Sequence, residues 1–127
     1  MRRTLYLALA LLALSVALCG AGTRAVNGAA ERADRLRVSA EQAAIEGNTE
    51  GALAYIQTMA EGWRADSRWL ELVTSHDALS DVRRGIEDAL ICLKYGERHE
   101  FLRASAALSA ALEQLRMAEA LRLMNLF

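Results

Sequence analysis

Thr4–Thr23 reads TLYLALALLALSVALCGAGT, twenty residues without a charge, and Met1-Arg2-Arg3 stands directly ahead of it. Leu5 to Leu18 is almost continuously aliphatic, and the small residues Cys19, Gly20, Ala21 and Gly22 follow. A short positive segment, then an apolar run, then small residues is the pattern of a membrane-targeting segment. Its fate has several readings. The fourteen residues Leu5–Leu18 have the length of a signal-peptide core, whereas the full uncharged run reaches the length that spans a bilayer. Small residues at suitable spacing place cleavage after Ala21 or after Ala25. Lipid attachment at Cys19 is a third reading, weakened by Leu18 where a small residue is usual. A core helix of a cytosolic protein is a fourth. The first three share one orientation, with Arg2 and Arg3 inside and the bulk of the chain outside. The chain thus divides into a signal peptide or membrane anchor over residues 1–25 and an extracytoplasmic helical domain over residues 26–127. It is either a single-pass protein of the cytoplasmic membrane or a secreted one.

Outward from that segment everything reads as helix, so the fold class is all-α. The 127 residues include no proline, and alanine and leucine dominate. Both are strong helix formers, and proline is the commonest helix breaker. Glu31 to Glu46, rich in Ala, Glu and Arg, reads as a stalk that continues the first helix to a glycine stop at Gly47-Asn48. Asn48 or Thr49 caps a second helix to about Thr74. Leu53, Ile56, Ala60, Trp63, Ser67 and Leu70 form its apolar stripe, widened by Trp69 and Val73. Ser75 or Asp77 caps a third helix, which presents Leu79, Val82, Ile86, Leu90 and Leu93 and stops at Tyr95-Gly96. A last helix from about Glu97 to Met124 turns Phe101, Leu108, Leu112, Leu115 and Ala118 inward. Connections of two to four residues force neighbours antiparallel, giving a small bundle of about four helices including the stalk. The Gly47-Asn48-x-x-x-Ala52 turn resembles a tetratricopeptide turn, but no second copy stands about 34 residues away.

Charge excludes one class of partner. Without Arg2 and Arg3 the chain has 13 basic and 16 acidic residues, and the arginines are scattered. Nucleic-acid binding needs clustered positive charge, so no nucleic-acid partner is expected. Cys19 and Cys92 lie too far apart in role to form a disulfide framework, and Cys92 reads as a small core residue.

No catalytic constellation emerges, so no enzyme, cofactor or metal site is expected. His76-Asp77 has the form of a metal phosphohydrolase pair, but only His99 remains to complete a shell. His76 is expected to pack at the interhelical turn and bond a backbone carbonyl, with Asp77 starting the next helix. His99-Glu100 opens like a zinc-protease helix, yet Arg103 stands where the second histidine must be. Carboxylates are expected on solvated faces beside arginines, as in Glu61 with Arg64 and Asp66 near Arg68. Ser105 and Ser109 sit in regular helix with no turn to expose a nucleophile. Trp63 reads as core, and Trp69, six residues on, as a partly exposed surface residue.

Glu46-Gly47-Asn48 with Ala52, then Trp63, then His76-Asp77, and finally Glu119, Leu121, Leu123 and Asn125-Leu126-Phe127 together resemble the DUF4363 family. These are small bacterial proteins with an N-terminal membrane segment and a helical domain of undefined activity. The resemblance covers residues 45–127, with Leu126 where the family carries isoleucine. It implies that Trp63, His76, Asn125 and Phe127 matter, either by locking the bundle, with Phe127 tucked into the core and Asn125 capping the last helix, or as a binding site.

Two readings of function follow. In the first the protein is a non-enzymatic interaction or structural protein, tethered to the membrane by its N-terminal helix and facing an envelope protein partner. In the alternative it is an exported ligand-binding or sensory domain with a pocket near Trp63 and His76.

Overall fold

With no proline to interrupt it, the first helix runs for 44 residues, α1 (Arg2–Ile45), through Gly20, Gly22 and Gly28 without a break. The structure is a computed structural model and describes residues 1–126; Phe127 lies outside the described residues. α2 (Thr49–Leu70), α3 (His76–Lys94) and α4 (Arg98–Leu126) complete it, and no strand is present among the described residues. The chain is therefore all-α, a long apolar N-terminal helix continuing into a four-helix bundle.

The two distal turns have the same construction. Gly47 adopts φ +84°; its N–H donates to the Ala44 carbonyl, while that of Asn48 donates to Ala43. Gly96 adopts φ +69°, with equivalent bonds from Gly96 to Leu93 and from Glu97 to Cys92. Both are Schellman stops, which satisfy the last helical carbonyls and need a left-handed residue that glycine adopts without strain. Asn48 then caps α2, its Oδ1 accepting from the Gly51 N–H at 2.9 Å. At the opposite end α2 stops at Leu70, earlier than expected. The chain tightens there, with N–H bonds from Leu72 to Trp69 and from Val73 to Leu70. Ser75, rather than Asp77, caps α3 through Oγ, which accepts from Ala78.

Each helix packs on two neighbours, α1 on α2 and α4, α3 on α2 and α4, and among the described residues neither diagonal pair is in contact. On α3 and α4 the buried positions alternate three and four apart. In α4 they are Phe101, Ser105, Leu108, Leu112, Leu115 and Glu119; in α3 they are Leu79, Val82, Ile86, Ala89 and Leu93. That spacing matches the shallow left-handed crossing of four-helix bundles. The stretch read as a stalk is a full bundle member. Val26, Ala29, Ala30, Ala33, Ala40, Ala43 and Ala44 are buried, and these small residues admit Ile56, Met59, Trp63, Phe101 and Leu108 from the neighbours.

Polar contacts set the register. Arg32 Nη2 meets Asp66 Oδ2 at 3.1 Å, so Asp66 pairs with α1 and not with Arg68. Arg37 Nη1 donates to Ser105 Oγ at 3.2 Å, joining α1 to α4. At Gly22 a Cβ would stand 3.3 Å from Val73 Cγ1, so α1 touches the α2–α3 turn there. Arg122 of α4 donates to the Val73 carbonyl from the other side. The α2–α3 turn and the end of α4 therefore stand level with Gly22, just where the uncharged run of α1 ends.

Two expectations need correction. Ala118 faces solvent, and Glu119 takes the inward position one residue on, where the alternating spacing of α4 falls. Asn125 is exposed and lies within α4, which runs to Leu126, so it is not a cap.

Candidate functional site

Three features distinguish this molecule from a featureless bundle. The first is the apolar half of α1. Every large aliphatic residue from Leu5 to Leu18 is exposed, whereas burial begins at Gly22 and continues to Ala44. Among the described residues α1 is the one helix long and apolar enough to cross a membrane, and its N-terminal place suits a signal sequence equally. At 1.5 Å per residue the twenty residues Thr4–Thr23 extend about 30 Å, the thickness of a bilayer's hydrocarbon core.

The second is a groove between α2 and α3, about 340 Å³ in volume, lined by Trp63, Arg64, Arg68, Glu71, Arg83 and Glu87 among others. A smaller depression of about 50 Å³ shares Trp63, Glu71 and Arg83 with it and reaches His76. Trp63 is 3% exposed and lies in the core seam of α2. Its Nε1 is buried without a hydrogen-bond partner among the described residues. A buried donor left unpaired is costly, by roughly 1–3 kcal/mol, and rare in native structures. Arg64 and Arg68 stand one turn apart on α2 without an ion pair among the described residues, and Arg83 on α3 lies within reach of Glu87 at 4.0 Å.

His76 and Trp69 sit at the rim. The His76 side chain is 73% exposed, and Nδ1 lies 3.8 Å from Glu71 Oε1. It does not pack into the turn or bond a backbone carbonyl as the sequence led one to expect. Ser75 holds the cap, so His76 is the first residue of the helix proper and its ring projects outward. Asp77 follows in the first turn of α3, exposed, where a carboxylate favours the helix dipole. Trp69 is 41% exposed, on the side of α2 away from Trp63. Trp63 and His76 thus border one continuous groove, while Trp69 and Asn125 are separate from it. Among the described residues no three His, Cys, Asp or Glu side chains gather as metal ligands would.

The third is a part-buried polar network around Arg37, for which the sequence holds little signal. Arg37 is 11% exposed at its side chain; its Nε bonds Asp34 Oδ1 at 2.9 Å, and its Nη1 bonds Glu41 Oε2 at 3.2 Å as well as Ser105 Oγ. Its only sequence signal is Ser105 falling in register with Phe101 and Leu108, which marks an inward serine that needs a partner. Cys92 is half-buried on α3. Burial, then the carboxylates of Glu97, Glu100 and Asp88, push its thiol above the ordinary range, which makes it a poor nucleophile at neutral pH.

No family model, curated protein or solved structure matches the chain.

Proposed function

We propose that the protein is a non-enzymatic, membrane-tethered helical interaction protein of the bacterial cell envelope, with α1 as its anchor and the bundle outside the cytoplasmic membrane. The observation that carries this reading is the two-part character of one unbroken helix. Its first half is bare and apolar, and its second half is built into the bundle core. Such a helix couples the bundle rigidly to whatever its first half is inserted in. The resemblance to the DUF4363 family, on Trp63, His76-Asp77 and Asn125, belongs to the same proposal. At the end farthest from the apolar segment, Ile45 and Tyr95 are exposed beside the two Schellman turns. Aromatic and aliphatic residues there favour a protein partner.

Site-specific photocrosslinking from Tyr95 and from Arg68 in the full chain tests the reading. A discrete adduct of one partner from Tyr95, absent from Arg68, is the expected result. No adduct from either position contradicts it.

The second reading, an exported ligand-binding or sensory domain, has its own support in the unpaired Trp63 Nε1 beside Arg64, Arg68 and Arg83. Those donors favour a small anion. A thermal-shift series with carboxylates and phosphates tests it; stabilisation lost in Arg64→Ala supports a ligand groove, and no stabilisation by any of them rejects it.

A further inference from the structure

The lower end of the bundle carries apolar surface out of proportion to the rest. Beyond Leu18, ten large apolar residues are exposed among the described residues, and five of them stand at this one end. Trp69 and Leu72 belong to the end of α2 and the turn after it; Met117, Leu121 and Met124 belong to the last turns of α4. There α4 places one carboxylate inward beside the buried Leu115 and three large apolar residues outward. Glu119 is 2% exposed on the inner side, while Met124 is 73% exposed on the outer. In a helix flanked by water the apolar side faces the core, so this arrangement needs another surrounding.

The register says which. Gly22 touches Val73, and Arg122 bonds the Val73 carbonyl, so these three positions share one level along the bundle axis. Counting along the antiparallel neighbours, the five residues stand opposite α1 positions from about Gly20 to about Asn27. That is a slab roughly 10 Å deep at 1.5 Å per residue. It straddles Thr23, where the uncharged run of α1 ends, and Arg24, the first charge after it. Resting on the reading of α1 as a membrane anchor, this slab coincides with the interfacial layer of the bilayer. Tryptophan concentrates in that layer, and arginine reaches phosphate from it.

We propose that the bundle is seated on the bilayer, with Trp69, Leu72, Met117, Leu121 and Met124 in its outer interfacial layer, so that α4 dips beside α1 into lipid. The occupant of this apolar surface is phospholipid. A rigid helix that enters the membrane and then forms one edge of the bundle leaves no linker by which the domain could stand off. Glu119 fits the same arrangement, because it turns inward toward Arg122, at 3.6 Å, and away from the lipid side.

The test uses the full chain in vesicles of phosphatidylcholine and phosphatidylglycerol, with and without bromine on the acyl carbons nearest the glycerol. Flotation of the same vesicles reports anchoring separately. Trp63, buried higher in the bundle, serves as the unquenched reference, and Trp69→Phe identifies the emission of Trp69. The expected result is flotation with most of the Trp69 emission lost in brominated lipid. A second tryptophan placed by Leu121→Trp in the Trp69→Phe background is quenched likewise. Flotation with neither residue quenched overturns the seating and leaves the anchor standing. Failure to float overturns both. Trp69 shielded from aqueous acrylamide yet untouched by bromine means that a second copy or another protein covers the surface, which also overturns the proposal.

Discussion

Replacing Arg37 probes a part-buried charge that ties α1 to α4. Its side chain contributes in two ways that the structure separates. Beyond the Cβ that alanine keeps, the stem has two methylenes in a side chain only 11% exposed, worth about 0.8 kcal/mol each, or roughly 2 kcal/mol. The guanidinium satisfies Ser105, whose side chain has no access to water, and bridges Asp34 and Glu41, whose carboxylates are 37% and 30% exposed and can be rehydrated. Losing the Ser105 bond costs about 1 kcal/mol, the low end for a buried group, since a helical serine can turn to its own backbone carbonyl. Arg37→Ala is therefore expected to destabilise by about 3 kcal/mol and Arg37→Met, which keeps the stem, by about 1 kcal/mol. For a domain of this size 1 kcal/mol moves Tm by about 4 °C, so the shifts are roughly 12 °C and 4 °C. Thermal unfolding of the full chain in mild detergent, followed by circular dichroism, reads them. Adding Ser105→Ala to Arg37→Met should recover most of the smaller loss, because replacing both partners of a buried bond is nearly neutral. Equal losses for Arg37→Ala and Arg37→Met, or no loss for either, would refute this division.

Three further outcomes follow from the same structure. Gly47→Ala forces a Cβ into a left-handed backbone and should cost about 1 kcal/mol, read as a Tm fall of about 4 °C; an unchanged Tm means the turn has another conformation. Trp63→Ala should cost about 3–5 kcal/mol in detergent, while Trp69→Ala stays within about 0.5 kcal/mol; denaturant unfolding that ranks them the other way contradicts the burial described. The raised thiol of Cys92 should react with iodoacetamide more slowly than free cysteine near pH 8 and catch up only as pH rises further, with Glu97→Gln narrowing the gap. The neutral thiol is the form the fold favours, so this contribution to stability is present below the ordinary thiol range of about pH 8.5 and is lost as pH climbs through the raised value. Alkylation at the rate of free cysteine would remove its basis.

Much of the fold was legible because its signals are local. Gly47 and Gly96 sit where only a left-handed residue closes the helix, and Asn48 and Ser75 have the short oxygen that a cap needs. The inner face of α3 could be read directly because each of its large members is aliphatic. α4 was harder, since its inward stripe includes Ser105 and Glu119; apolarity alone slides the reading to Ala118. The burial of the supposed stalk was hidden for a related reason. Its inner face is alanine, which reads equally well as exposed helix, and only the large residues of the other helices reveal that it must be covered. The α2–α3 groove was partly legible, in Trp63 and His76. The arginines that line it and the unpaired Trp63 nitrogen depend on which helices become neighbours, as does the pairing of Arg32 with Asp66.

An anchored helix with the bundle outside is read through the chain's amines. Lys94 is the only lysine, exposed beside a distal turn, and the α-amino group of Met1 lies at the opposite end of α1. Arginines flank the apolar run on both sides, Arg2 and Arg3 ahead and Arg24, Arg32 and Arg35 behind, and labelling of Lys94 reads the orientation directly. Spheroplasts expressing the full chain would be treated with a membrane-impermeant amine reagent and then extracted with alkaline carbonate. The expected result is protein in the carbonate-insoluble membrane fraction, labelled at Lys94 before lysis. Lys94 labelled only after lysis, or the unprocessed chain in the soluble fraction, would contradict it.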